Sequence, residues 1–253
     1  MRVLVTRPRQ QGTEWVARLR DAGIDAVALP LIGIGPSAEP AAVHATWATL
    51  AERRLVVFVS ANAAEQFFAL QPAGSAWPIA VLAASPGPGT TQALLRLGVP
   101  QAQIVEPAAD AAQFDSESLW AAMRDADWRG ARVLIVRGEG GREWLAQTLR
   151  AHDAQVELLA AYRREMPALD DADRVLLRSA LTAPREHLWL FSSSEAIDNL
   201  AVLSGPGTDW SAARALATHP RIAARAQHLG LRDVIEVRPA LDAVRACIQS
   251  IAP

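Results

Sequence analysis

Residues 132–165, RVLIVRGEGGREWLAQTLRAHDAQVELLAAYRRE, carry the pattern that decides the fold. The run VLIV reads as a strand buried on both faces, since no polar residue alternates with its apolar ones. A glycine-rich turn follows, then an amphipathic helix, then a second extended run over 156–163. The amino terminus, MRVLVTRPRQQGTEWVARLRDAGIDAVALPLIGI, repeats this order. Arg2 aligns with Arg132, Arg7 with Arg137 and Leu19-Arg20 with Leu149-Arg150, all at an offset of 130. In the first copy Trp15, Val16 and Leu19 have helical spacing and Gly23 closes the helix.

Working outward, the same unit recurs. Residues 55–59, 79–83 and 104–105 read as strands. Each precedes a turn and a helix: the one after Ser60-Ala61-Asn62, the one ending at Gly98, and the one capped by Asp115 or Ser116. A further helix carries Trp47 and Leu50 on one face. Residues 188–191 with Ser192-Ser193-Ser194 repeat 55–58 at an offset of 133, and Gly230 repeats Gly98 at 132. Val237-Arg238-Pro239 repeats Val105-Glu106-Pro107, again at 132. The chain is two copies of an α/β module, and strand–turn–helix repetition predicts parallel sheets covered on both faces. A tandem division near residue 130 fits the spacing, but each first unit could equally pack with the other set of later units. The extended runs 26–34 and 156–163 could pair as a bridge.

A chain of 253 residues that is 51% hydrophobic can build two cores. The net charge of −2 argues against nucleic acid or an anionic membrane as partner. All 25 basic residues are Arg, which excludes Schiff-base and phosphate-loop lysines. Cys247 is the only cysteine, and the five histidines are scattered. Neither suggests a disulfide or a metal site, and both fit a reducing cytoplasm. The apolar run VLV is too short for a signal peptide, and no stretch has membrane-span length.

Ligands of open parallel sheets lie beyond the carboxyl ends of the strands. The turns there are Thr6-Arg7-Pro8, Ser60-Ala61-Asn62, 87–90, 137–142, Ser192-Ser193-Ser194 and 219–222. They are rich in Arg, Ser, Thr and Gly, and each precedes a helix amino terminus, which favours anions. If the modules face one another, these turns would line a cleft for a polycarboxylate or phosphorylated ligand. Simpler roles stand beside this one. The serines could be helix caps only, 138–141 a tight turn, Arg137 a surface ion-pair member and His219 a helix-start residue. Tyr162, the only tyrosine, could be a packing residue, and Trp15, Trp47, Trp120, Trp144 and Trp189 are read as core.

Taken together, VLVTRP (3–8), VVFVSANAAEQF (56–67), GPGTTQALLRLG (87–98), DSESL (115–119), VLIVRGEGGREWL (133–145), AYRRE (161–165), LFSSSEAIDNL (190–200) and HPRIAARAQHLG (219–230) resemble the uroporphyrinogen-III synthase family. The resemblance implies two flavodoxin-like domains with parallel sheets, joined by a two-stranded linker. Residues 1–34 with 167–253 would form one domain and 37–160 the other, with linkers at 35–36 and 161–166. It implies a monomeric, cytoplasmic, cofactor-free lyase of tetrapyrrole biosynthesis. Its substrate would be hydroxymethylbilane, with an acetate and a propionate on every ring, cyclised with inversion of ring D and loss of water.

Carried over residue by residue, Tyr162 matches the family's cleft tyrosine and is expected to donate to the leaving hydroxyl or to position the donor. Thr90 and Ser60 match positions facing the cleft. The expected substrate contacts are Thr6, Arg7, Ser60, Asn62, Gly87, Thr90, Arg137, Gly141, Arg142, Ser192, Ser193, Ser194 and His219. The second copy has His219 and Ile222 where many members have Gly and Thr, which points to backbone N–H groups there. The alternative is a cytoplasmic two-lobed protein that binds a small anion without catalysis.

Overall fold

The computed structural model describes residues 1–111 and 113–251. Its first part runs β1 (Arg2–Val5), α1 (Arg9–Asp21), β2 (Ala26–Ala28), β3 (Gly33–Pro36), α2 (Pro40–Thr46) and a 3-10 helix (Trp47–Glu52). Then come β4 (Leu55–Phe58), α3 (Ala61–Ala69), β5 (Leu82–Ala84), α4 (Pro88–Arg96), β6 (Ile104–Val105) and α5 (Ser116–Met123). Next are β7 (Arg132–Gly138), α6 (Trp144–Ala151), β8 (Gln155–Glu165), α7 (Asp171–Thr182), β9 (His187–Phe191) and α8 (Ser194–Ser204). The chain ends in β10 (Arg214–Ala217), α9 (Pro220–Leu229), β11 (Asp233–Glu236) and α10 (Leu241–Ile251). Among the described residues no helix is long and apolar enough to cross a membrane.

The chain divides into two compact units, Met1–Ile34 with Glu165–Pro253, and Gly35–Arg164. The first unit holds a sheet in the order β11-β10-β9-β1-β2. Its pairings are parallel, with Val3 opposite Leu188 on one side and Ala26 on the other. Counted in chain order within the unit, that is the flavodoxin-like order 2-1-3-4-5 read from its far edge.

Alternate residues of β1 serve opposite faces, as strand geometry requires. Val3 and Val5 pack with Val16 and Leu19 of α1 and Val244 and Ile248 of α10. Leu4 packs with Leu177 of α7, Leu200 of α8 and Ala223 of α9. Asp170 caps the start of α7 in a reciprocal capping box with Asp173, and Arg9 donates to Asp173 at 2.5 Å.

The sheet in the second unit has the order β3-β8-β7-β4-β5-β6, with β7, β8, β4, β5 and β6 paired in parallel. If β7 is taken as first strand, β8-β7-β4-β5-β6 is again 2-1-3-4-5. The second sheet is thus a circular permutation of the first, which is why β7 repeats β1 in sequence. A division at residue 130 would cut it, because β7 lies beside β4. On one face Leu55, Val57, Val133 and Ile135 pack against Leu119 of α5 and Leu149 of α6. On the other, Phe58 meets Phe67 edge to face at 5.6 Å between centroids, and Phe67 stacks on Trp47 at 4.7 Å.

Several expected elements differ in extent. The run 79–83 is a strand only from Leu82, and Ile79 is 93% exposed. Gln103 Nε2 donates to the carbonyls of Pro78, Ile79 and Val81, and the Trp77 indole donates to Val81 O. Side chains therefore satisfy the backbone that a longer strand would have paired. The run 26–34 breaks into β2 and β3, with residues 29–32 outside either strand. The helix expected around Trp47 and Leu50 is α2 continued as a 3-10 turn. Asp115, not Ser116, caps α5, accepting from Ser118 N–H at 2.9 Å.

We propose that each unit is an independently folding domain, since each has its own sheet covered on both faces. Residues 35–164 expressed alone are expected to show one cooperative thermal transition and native-like circular dichroism. A product without a cooperative transition would overturn this.

Candidate active site

At the carboxyl edge of the first unit's sheet, Thr6 is buried and its hydroxyl donates to Leu190 O at 2.8 Å. That bond extends the β1–β9 ladder by one residue and fixes the position of Arg7. Arg7 carries its guanidinium carbon 4.1 Å from the centre of the Trp15 ring. Its Nε is buried with no hydrogen-bond partner among the described residues, although the residue as a whole is partly exposed. Burial lowers its pKa to about 10, which leaves it a cation at neutral pH. Nearby in sequence to the end of β9, Ser192, Ser193 and Ser194 are all partly exposed, and the Ser193 side chain makes no cap hydrogen bond at the start of α8. His219 is a true cap: its Nδ1 accepts from Arg221 N–H at 3.1 Å at the start of α9. Ile222, one turn on, is buried in the core.

In the second unit, Ser60 caps α3, accepting from Ala63 N–H at 3.2 Å. Its Oγ also lies 3.2 Å from the Tyr162 hydroxyl, joining residues 102 positions apart. Asn62 sits partly exposed in the same first helical turn. Tyr162 is fully buried in β8, opposite Gly138 at an irregularity of the β7–β8 ladder. A methyl group at 138 would stand 2.9 Å from the tyrosine ring, so glycine is what admits the ring. Gly138 is therefore the last residue of a strand, and the turn proper lies at 139–143.

Gly87 caps α4 with an extended backbone; a Cβ there would lie 2.8 Å from Phe114. Thr90 is buried in the first turn of α4. Its neighbour Thr91 places its hydroxyl 2.6 Å from Glu106 and 3.0 Å from Ser85, which in turn donates to Gly87 O at 2.8 Å. This buried network holds the Gly87 turn. Neither it nor the Phe114 contact is visible in the sequence, where Thr91 and Ser85 carry no periodic signal.

The expected arginines separate into different states. Arg137 is buried, donates through Nε to Gly140 O at 3.0 Å and lies 3.7 Å from Glu143. Gly141, at φ 114°, adopts a backbone that few other residues tolerate, and a Cβ there would stand 3.1 Å from Arg137 Nη2. Arg142 is paired with Glu117 at partly exposed positions. That hydrogen bond holds the Glu117 carboxyl below its usual range and raises Arg142. Only Arg7 of the three has no carboxylate beside it among the described residues.

A cavity of about 510 Å³ lies at the opposite edge of the second sheet, lined by Thr49, Glu52, Arg53, Arg132, Gln155, Val156 and Glu157. Its arginines are already paired, Arg53 with Glu157 at 2.6 Å and Arg132 with Glu52. Amino ends of parallel strands face helix carboxyl termini, which repel anions. The cavity thus has the wrong electrostatics for a polyanion, and the carboxyl-edge turns have the right ones.

A family profile described as uroporphyrinogen-III synthase HemD matches residues 13–245. The uroporphyrinogen-III synthase of Synechococcus elongatus is 31% identical over 217 residues, covering 83% of this chain and 78% of that protein. The Salmonella typhimurium enzyme of the same name is 34% identical over 177 residues, 70% of each chain. Among solved structures, a mutant uroporphyrinogen III synthase from Thermus thermophilus superposes with a TM-score of 0.58 at 16% identity, covering 99% of this chain and 98% of that one. The Helicobacter pylori uroporphyrinogen-III synthetase gives 0.52 at 13% identity, covering 100% of both chains. These two likenesses bear on the fold. By profile and by sequence identity together, the chain belongs to the uroporphyrinogen-III synthase family, cofactor-independent cyclising lyases of tetrapyrrole biosynthesis.

Proposed function

We propose that this chain cyclises hydroxymethylbilane to uroporphyrinogen III, inverting ring D and releasing water. The match over residues 13–245 carries this reading. The chemistry of the carboxyl-edge turns supports it: an Arg7 with no carboxylate beside it among the described residues, a Ser193 hydroxyl not used as a cap and helix amino termini suit a ligand with carboxylates on every ring. Loss of the substrate hydroxyl gives an azafulvene cation, which the substituted carbon of ring D attacks. The resulting spiro-pyrrolenine fragments and recombines to the inverted ring. Because the free substrate closes unaided to the uninverted isomer, the protein's task is to hold a folded conformer while assisting departure of the hydroxyl.

We assign that assistance to the Ser60–Tyr162 pair. The Ser60 oxygen already accepts Ala63 N–H. If it also accepts the Tyr162 proton at 3.2 Å, its own O–H is left to donate outward from a partly exposed position. Tyr162, fully enclosed, is then the positioning residue and Ser60 the donor. Thr90, Asn62, Arg137, Gly141 and Arg142 on one unit, and Thr6, Arg7, Ser192–Ser194 and His219 on the other, are the further groups we assign to the substrate-binding turns. On this reading the chain works as a cytoplasmic monomer, which a single cysteine suits.

Purified protein given fresh hydroxymethylbilane, with no cofactor added, is expected to yield the III isomer after oxidation and chromatography. Isomer I alone, at the spontaneous rate, would overturn the synthase reading in favour of simple anion binding. Tyr162→Phe is expected to cut turnover about tenfold, the scale of one hydrogen bond, with little change in melting temperature. In a Ser60→Ala background the same change should add almost nothing. Independent, multiplying losses would show that the two hydroxyls do not act as one relay.

A further inference from the structure

By sequence Trp15 belongs with the core tryptophans, but its surroundings give it a second task. We propose that Trp15 is a positioning residue for substrate binding: its indole face holds the Arg7 guanidinium at the carboxyl end of β1, leaving its N–H edge for a substrate carboxylate.

The other arginines of these turns show what usually happens to such a charge. Arg9, two residues on, lies 2.5 Å from Asp173 and 3.6 Å from Asp170. Arg142 is taken by Glu117, and Arg137 by its own turn. A carboxylate partner of this kind occupies the in-plane N–H donors, the same donors a substrate carboxylate needs. An aromatic ring engages the face of a guanidinium and leaves those donors unused. Arg7 has the ring at 4.1 Å, and among the described residues it has no carboxylate beside it and its buried Nε no hydrogen-bond partner.

The arrangement also solves a stability problem. Enclosing an unpaired cation is unfavourable, and burial does depress the Arg7 pKa. The quadrupole of the indole offsets part of that loss without neutralising the charge. Trp15 can do this because it is itself fixed. It lies in the body of α1 and packs against the apolar cluster of Val3, Val5, Val16 and Leu19. The Thr6 hydroxyl, bonded to Leu190 O, fixes the other end of the contact.

This inference rests on the synthase reading above, and the test separates the two. KM and kcat for hydroxymethylbilane would be measured for wild type, Trp15→Leu, Trp15→Phe, Arg7→Met and the Arg7→Met/Trp15→Leu double variant. Circular dichroism would check each fold, and Trp15→Met would replace Trp15→Leu should the latter not fold. Trp15→Leu is expected to raise KM about fivefold with kcat nearly unchanged, and Trp15→Phe to recover most of that loss. In the Arg7→Met background, Trp15→Leu should add no further rise, because the group it acts through is gone. An unchanged KM in Trp15→Leu, or an undiminished effect without Arg7, overturns the proposal while wild type still makes the III isomer. Wild type making only isomer I removes the synthase reading, and this proposal with it.

Discussion

The ladder between β1 and β9 is the constraint from which the rest follows. It places Val3 opposite Leu188 and Val5 opposite Leu190, so the first strand of the chain finds its sheet only in the last third. The chain must therefore leave that sheet, build a second one and return. It does so through β3 and β8, neighbours at one side of the second sheet. The same ladder sets the chemistry of its own edge. Its last side-chain bond, from Thr6 to Leu190 O, is immediately followed by Arg7.

Parallel pairing then dictates where function can sit. Every strand of a doubly wound sheet delivers its following helix with the amino terminus toward the carboxyl edge, so that edge accumulates unpaired N–H groups. On this frame the second unit places the Ser60–Tyr162 contact and the Gly87 turn, and the first unit places Arg7 and the Ser192–Ser194 turn. The cavity at the amino edge is larger than a single side chain would leave, yet its charges cancel in pairs.

Much of the fold was legible because it rests on local pattern. Apolar runs such as LVVF and RVLIV read as buried strands, and the offsets of 130–133 exposed the duplication. Spacing could not say which copies share a sheet, because a circular permutation leaves the offsets unchanged. The run at 79–83 misled for a physical reason: its backbone is satisfied by Gln103 and Trp77 side chains, which no periodicity records. The site was legible as a set of turns but not as a set of states. That Arg142 is paired and Arg7 is not depends on Glu117 and Trp15, and the closeness of Tyr162 to Ser60 depends on a glycine under its ring. These are contacts in space between residues whose types alone predict several arrangements.

The most direct measurement is amide hydrogen exchange with and without anaerobic uroporphyrinogen III. Slowed exchange is expected in the carboxyl-edge turns, at 6–12, 60–64, 192–197 and 219–223, with residues 49–53 and 155–157 at the amino edge unaffected. Protection confined to the amino-edge cavity, with the turns unchanged, would contradict it.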